Sequence, residues 1–273
     1  MWPASSAQPI DGVERGRIIR RTLNDVINVG AVAWQHGRMV DIPSTPARAT
    51  FPHALAEEFV SDAVGRSLIA VDGVDGSGKS TFADTLAAVI SSRPVIIIRV
   101  DDFLNLREVR YQRGRDSPEG FWLDTYDYES LYRDILVPLR RDGNGCYQPM
   151  TTDHWQDVRL FPEPLQAPEN AVVIVEGMFL HRDELADWWD YSCFLDVPFT
   201  ETARRMAVRD GSHPDPEHES MRRYVRGQRL YFESAKPWQR ATRVVDNTDP
   251  AAPRILSPGE AQQRREQADL LDL

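Results

Sequence analysis

The chain has 273 residues, which suffices for one large domain with its own core or for a domain with an extension. Hydrophobic residues make up 41% and charged residues 27%, and the formal net charge of −10 argues against a general binder of nucleic acid or anionic membranes. No apolar run approaches the roughly 18 residues of a membrane span, and Cys146 and Cys193 lack metal or redox spacing. We therefore expect a protein of the reducing cytoplasm with neither a membrane nor a nucleic-acid partner.

The first 60 residues are predicted to form an extension that packs on the core or mediates assembly. Apolar residues at helical spacing predict one helix over residues 17–28 and another over residues 53–64. A short hairpin is expected over residues 31–40, and residues 43–52 are rich in turn formers. The sequence leaves open whether this extension makes the protein a homo-oligomer.

A glycine-rich stretch then fits the phosphate-binding pattern G-x-x-x-x-G-K-[ST]. An apolar run of strand length, residues 67–71, precedes it, and helical periodicity over residues 82–90 follows it. In that context the loop N–H groups and the helix dipole bind phosphate, while Lys79 reaches the β- and γ-phosphates and Ser80 binds Mg²⁺. The predicted nucleotide-binding residues are Gly73, Val74, Asp75, Gly76, Ser77, Gly78, Lys79, Ser80 and Thr81.

The second strand is predicted over residues 94–100 and ends in two aspartates. Its nearly unbroken apolar run is typical of a parallel strand that is buried on both faces. Ligands of open α/β sheets bind at the carboxyl ends of such strands, so Asp101 is a candidate catalytic group. The alternative is that Asp101 caps a helix or stabilises a turn.

Between the second and third strands the sequence has no strong period until a helix predicted over residues 128–139. Arginines are frequent in residues 104–127, where they either clamp a substrate or belong to the solvated surface. Residues 147–160 are predicted to form a strand or loop pair that carries His154. A single histidine in such a position is more often structural than catalytic.

The third strand is predicted over residues 171–175 and leads into Glu176. An apolar strand that ends in an acid downstream of a phosphate loop is Walker-B-like, and the acid can hold Mg²⁺ directly or through water. A fourth strand is predicted over residues 191–197 and a last short strand over residues 242–245. Asn247 follows that last strand in a turn, where we expect it near the adenine.

Two helices are predicted over residues 200–210 and 217–234, separated by a helix-breaking stretch. Arg205 and Arg209 are four residues apart and share one face of the first helix. The pair is predicted to be a lid, at about residues 205–235, whose arginines stabilise a transferring phosphoryl group. The alternative is a solvated helix pair with i,i+4 ion pairs.

The order of these segments resembles the group of P-loop kinases that contains uridine kinase, pantothenate kinase and phosphoribulokinase. Residues 72–81 look like the group's P-loop, and residues 101–104 (DDFL) are similar to its D-x-F segment, whose first Asp is the base. Residues 175–180 (VEGMFL) resemble its apolar-E-G segment, and residues 194–210 look like its fourth strand and lid. Residues 113–120 instead resemble the R-x-G-x-P-E stretch of pantothenate kinase relatives.

The predicted fold is a doubly wound α/β domain over residues 61–250, with a mostly parallel sheet flanked by helices and a tail over residues 251–273 that frays or forms a surface helix. The resemblance implies Mg²⁺-dependent transfer of the γ-phosphoryl group of ATP to a hydroxyl of a small molecule. Asp101 would accept the hydroxyl proton. The phosphoryl group would be stabilised by Lys79, Arg205 and Arg209, and the metal would be held by Ser80 and Glu176.

The resemblance implies a nucleoside as the acceptor. Tyr147, His154 and one or more of the arginines Arg107, Arg110 and Arg113 would then line its pocket. Two alternatives stay open. One is a kinase of another small alcohol, such as pantothenate or a sugar, and the other is a non-catalytic nucleotide-binding protein.

Overall fold

The computed structural model of the chain describes residues 46–60 and 64–271. Within these ranges the strands are β1 (Ser67–Gly73), β2 (Val95–Arg99), β3 (Cys146–Tyr147), β4 (Thr152–Asp153), β5 (Val158–Arg159), β6 (Leu165–Gln166), β7 (Val172–Gly177), β8 (Tyr191–Asp196), β9 (Arg243–Asp246) and β10 (Arg254–Leu256). The α-helices there are α1 (Pro46–Val60), α2 (Lys79–Val89), α3 (Arg107–Arg110), α4 (Pro118–Asp124), α5 (Tyr128–Leu131), α6 (Val137–Leu139), α7 (Phe199–Asp210), α8 (Arg222–Ala235), α9 (Pro237–Arg240) and α10 (Pro258–Leu271).

A six-stranded sheet in the order β10-β9-β8-β1-β7-β2 forms the centre of the fold. All neighbouring strands pair in parallel except that β10 pairs with β9 in the antiparallel direction. Strands β1 and β7 are buried along their whole length, as their unbroken apolar runs predict. The predicted doubly wound, mostly parallel α/β fold is confirmed. Parallel pairing brings the carboxyl ends of β1, β2 and β7 to one edge, where Ser80, Asp101 and Glu176 lie.

Two hydrophobic clusters cover the two faces of this sheet. One lies under α2 and includes Ile69, Leu86 and Ile174. The other lies under the helical segment that follows residue 128 and includes Leu68, Leu136 and Val173. Neighbouring residues of β1 and β7 thus point to opposite clusters, which is the pattern of a central strand in a three-layer α/β domain.

Helix α1 corrects the predicted turn-rich stretch over residues 43–52. The helix begins at Pro46 and continues through Pro52. A proline inside a helix removes one hydrogen bond, and this loss is outweighed by burial of the next turns. Those turns place Leu55, Ala56 and Phe59 in the cluster under α2. The helix predicted over residues 17–28 and the hairpin over residues 31–40 lie outside the described residues.

The chain after residue 250 forms a largely exposed helix, which is one of the two predicted alternatives, and adds a strand before it that was not predicted. It adds the antiparallel strand β10 to the sheet and then forms α10. Leu256 and Ala261 are buried in a cluster with Phe194, and Arg264 forms an ion pair with buried Asp196 at 2.9 Å. The buried apolar residues of this segment are few and widely spaced, so the local sequence pattern does not predict its packing on the domain. Every helix in the described ranges is too short or too polar to span a bilayer.

Candidate active site

The glycine-rich loop connects β1 to α2 and turns at two glycines. Gly76 and Gly78 have φ values of 76° and 92°, in the left-handed region that favours glycine. The Lys79 ammonium donates to the Val74 carbonyl at 2.9 Å and so folds back over the loop. Residues 73–81, predicted to bind phosphate, thus form a concave turn at the N-terminus of α2.

Residues from the C-terminal half of the chain hold this loop in place. Buried Gln228 of α8 accepts a hydrogen bond from the Asp75 N–H at 2.6 Å. Buried Asn247 donates through its side-chain amide to the Ser77 carbonyl at 2.7 Å. Asn247, which the sequence places near the adenine, therefore contacts the phosphate loop itself.

Arg205 and Arg209, the predicted phosphoryl-stabilising pair, both lie beside the loop. Arg205 donates through Nε to Glu201 at 2.9 Å. Its other guanidinium nitrogens donate at 2.8–3.4 Å to the carbonyl oxygens of Gly76, Ser77, Asn247 and Thr248. Arg209 is 59% exposed, and its guanidinium lies 3.4 Å from the Asp75 carboxylate. Arg205 therefore braces the loop, and Arg209 is the more accessible cation for a phosphate.

Ser80 and Glu176, the predicted metal ligands, are brought together at the carboxyl edge of the sheet. The Ser80 hydroxyl donates to Glu176 Oε1 at 3.0 Å, and the Arg99 guanidinium donates to the same oxygen at 2.9 Å. A hydroxyl and a buried carboxylate fit Mg²⁺, which takes few protein ligands and completes its shell with phosphate and water. Within the described part of the chain, no group of three or more His, Cys, Asp or Glu forms a metal cage.

Asp101 and Asp102 follow β2 in a single 3₁₀ turn, Val100–Phe103. The Asp101 carboxylate accepts a hydrogen bond from the Tyr126 hydroxyl at 2.8 Å, and burial raises the pKa of Tyr126 well above its usual value, so the phenol stays a donor. This side-chain partner favours the catalytic interpretation of Asp101 over a helix cap. Burial, and then repulsion from Asp101, raises the pKa of Asp102 to about 6.

A cavity of about 160 Å³ opens beside Asp101. Its lining includes predicted His154 and Arg110, and also the aromatic residues Tyr111, Phe121 and Tyr224. These aromatic residues come from α4, α8 and the turn after α3. These three aromatic residues are not predictable from the sequence, because nothing in their local pattern links segments more than 100 residues apart.

Two of the predicted acceptor-binding residues lie elsewhere. Tyr147 of β3 is 4% exposed and belongs to the core cluster. Arg113 forms an ion pair with Asp124 at 2.8 Å, and neither residue lines the cavity. Of the arginines considered for this site, Arg107 donates to the carbonyl of His154 at 3.4 Å, whereas Arg110 lines the cavity directly.

Arg223 of α8 fixes the wall of the cavity. Its guanidinium donates to the Arg110 carbonyl at 2.9 Å and to the Ser117 carbonyl at 3.0 Å. Helix α8 also crosses α4 closely, since a Cβ at Gly227 would lie 2.8 Å from a ring carbon of Phe121. The segment that resembles the pantothenate kinase relatives is thereby tied to α8.

A buried polar network lies beneath the loop. Asp72, which is fully buried on β1, accepts a hydrogen bond from His181 Nδ1 at 2.7 Å and another from the Tyr231 hydroxyl. Its other oxygen accepts from the Gly73 N–H at 2.7 Å. A buried aspartate on an apolar strand requires hydrogen-bond donors. The position of Asp72 in an apolar run was therefore the sequence signal that could have predicted buried polar partners for it.

The strand–loop–helix unit at the carboxyl edge of a mostly parallel sheet defines the class of P-loop α/β proteins. No family model matches the chain. The chain is 27% identical over 148 residues to a uridine kinase from Brevibacillus brevis, covering 52% of this chain and 65% of that protein. It is 26% identical over 133 residues to a phosphoribulokinase from Synechocystis sp., covering 48% of this chain and 37% of that protein. The matches thus span less than two thirds of either relative.

The fold agrees with these similarities. The solved structure named as a "possible uridine kinase" from Bacillus stearothermophilus superposes with a TM-score of 0.57 at 21% identity, covering 71% of this chain and 96% of that chain. The resemblance to the uridine kinase-like family of P-loop kinases is confirmed by the two sequence relatives and by this shared fold.

Proposed function

We propose that the protein is an ATP-dependent small-molecule kinase that transfers the γ-phosphoryl group to a hydroxyl. The observation that carries this proposal is the position of Asp101, which faces a small cavity at the same sheet edge as the P-loop. A nucleotide switch would need a positioned water there but no base beside a second cavity.

Each predicted group has a part in the proposed reaction. Mg²⁺, held by Ser80 and Glu176, would neutralise charge on the β- and γ-phosphates. Lys79 would exchange the Val74 carbonyl for phosphate oxygens. Asp101, oriented by Tyr126, would accept the proton of the attacking hydroxyl. Most of the rate enhancement would come from positioning and charge neutralisation, as is usual for phosphoryl transfer.

Two acceptor classes are proposed. The similarity to the Brevibacillus brevis uridine kinase supports a nucleoside. A different small alcohol is supported by the similarity to a phosphoribulokinase and by the cavity volume of about 160 Å³. That volume lies below the roughly 300–1,000 Å³ of pockets that enclose drug-sized ligands.

The test is release of ADP from Mg-ATP by the full chain with a panel of nucleosides, pantothenate and sugars. We expect one class to stimulate release, and Asp101→Asn to abolish the stimulation while ATP binding, measured by calorimetry, persists. Asp142→Asn, at a side chain that is 72% exposed, is the control. Full activity of Asp101→Asn would refute the assignment of the base, and a panel without any stimulation would favour a non-catalytic nucleotide-binding protein.

A further inference from the structure

The guanidinium of Arg110 has no hydrogen-bond partner in the part of the chain that the structure describes. Its Nε is fully buried without a partner, and the side chain as a whole is 16% exposed. The carboxylate it approaches, that of Asp157, lies 4.0 Å away, beyond hydrogen-bond distance. A buried donor without a hydrogen bond is costly, so a guanidinium in a cavity wall whose one ion pair among the described residues is this long calls for an explanation.

The surroundings of Arg110 make this wall of the cavity electropositive. Arg223 is 6% exposed and lines the same cavity, and its side-chain partners are backbone carbonyls rather than a carboxylate of the described residues. The guanidinium groups of Arg110, Arg115 and Arg223 lie 5.5, 5.0 and 5.0 Å from the centre of the Tyr111 ring. Asp101 is the one carboxylate among the described residues that line the cavity, and the proposed reaction already uses it.

We propose that the acceptor carries an anionic group, a carboxylate or a phosphate, and that Arg110 binds this group. The proposal rests on the proposed kinase function and narrows its acceptor class. Arginine suits this role because its planar fork matches the paired oxygens of both anions. Asp101 and Arg110 share one small cavity, so the acceptor is a compact molecule with its reactive hydroxyl a short distance from its charge. A neutral nucleoside would leave the Arg110 guanidinium without a hydrogen-bonded anion.

The experiment compares neutral and anionic members of matched pairs with the full chain and Mg-ATP. Glycerol against glycerate tests a carboxylate, ribose against ribose 5-phosphate tests a phosphate, and uridine represents the neutral nucleosides. We expect ADP release with an anionic member and little with its neutral partner. Release that is equal or stronger with uridine or another neutral member would overturn the anionic acceptor while leaving the kinase function intact.

Substitution of Arg110 supplies the second arm. For the anionic acceptor, we expect Arg110→Gln to raise KM by about 10–100-fold with kcat changed only a few-fold, the loss typical of a charge-assisted contact. Arg110→Lys should restore part of that affinity. Arg133→Gln, at a 60% exposed arginine that pairs with its neighbour Asp134, is the matched control. An unchanged KM in Arg110→Gln would contradict the role of Arg110.

A binding measurement separates the two proposals if no acceptor is turned over. The melting temperature of the protein is recorded with glycerate and with ribose 5-phosphate. A rise that disappears in Arg110→Gln but persists in Arg133→Gln would support the anion site although the kinase function had failed. No rise with either anion, together with no turnover, would overturn the anion site as well.

Discussion

The protonation of Asp102 gives a quantitative test of the site. Its pKa is raised to about 6 by burial and by the Asp101 and Glu176 carboxylates, with Arg99 acting in the opposite direction. An unfolded aspartate has a pKa of about 3.9. The folded state therefore binds more protons than the unfolded state between about pH 4 and pH 6, and stability falls as pH rises through this window.

The magnitude follows from the difference between the two pKa values. A difference of about two pKa units means that the ionised Asp102 carboxylate destabilises the folded state by at most about 3 kcal/mol. This destabilisation is absent below about pH 4 and complete above about pH 6. Asp102→Asn removes the charge and keeps the shape, so the variant should gain stability relative to wild type by up to that amount between pH 4.5 and pH 7.5. Urea unfolding in EDTA, followed by the fluorescence of the seven tryptophans, measures the free energy of unfolding at each pH.

The control is Asp142→Asn, at an aspartate side chain that is 72% exposed. This variant reports the effect of replacing an exposed, ion-paired aspartate by asparagine over the same pH range. If the stability difference between Asp102→Asn and wild type is independent of pH, the Asp102 carboxyl is not desolvated as described.

Three further outcomes test the loop, the metal pair and the helix contact. Lys79→Ala should weaken ATP binding and turnover together, and an unchanged ATP affinity and rate would remove the loop from the mechanism. Glu176→Gln should raise the half-saturating Mn²⁺ concentration for nucleotide binding by about 10-fold or more, as followed by electron paramagnetic resonance, because a charged ligand is lost; an unchanged value would count against this ligand. Gly227→Ala should lower the free energy of unfolding by about 1–3 kcal/mol through overpacking against α4. Gly259→Ala, where an added Cβ meets nothing within 4 Å, is its control, and equal stability of the two variants would contradict the close crossing.

Features encoded by contiguous residues were predictable from the sequence. The P-loop and the buried strands depend on local apolar runs and glycines, and parallel pairing then brings Ser80, Glu176 and Asp101 to one edge of the sheet without further information. The predicted helix over residues 128–139 is present as α5, a π-helical turn and α6. In each case the local pattern and the tertiary packing favour the same structure.

Features that depend on distant contacts were not predictable. The cavity wall joins Tyr111 to Tyr224, and these residues lie beside each other only because α8 packs on α4. Tyr147 has the residue type of a substrate contact, yet its ring is buried in the core. Helix α1 runs through Pro52 because burial of its later turns outweighs one lost hydrogen bond.

Helix α8 contacts both predicted binding regions. Gln228 and Tyr231 hold the P-loop and the strand before it, while Arg223 and Tyr224 form part of the cavity wall. Moving α8 would break both sets of contacts. If the predicted lid closes, we therefore expect the chain to bend between α7 and α8, at about residues 211–221. Because α8 contacts both regions, we expect ligand binding at one to affect ligand binding at the other. Any change in ATP affinity caused by the acceptor must be matched by an equal change in acceptor affinity caused by ATP.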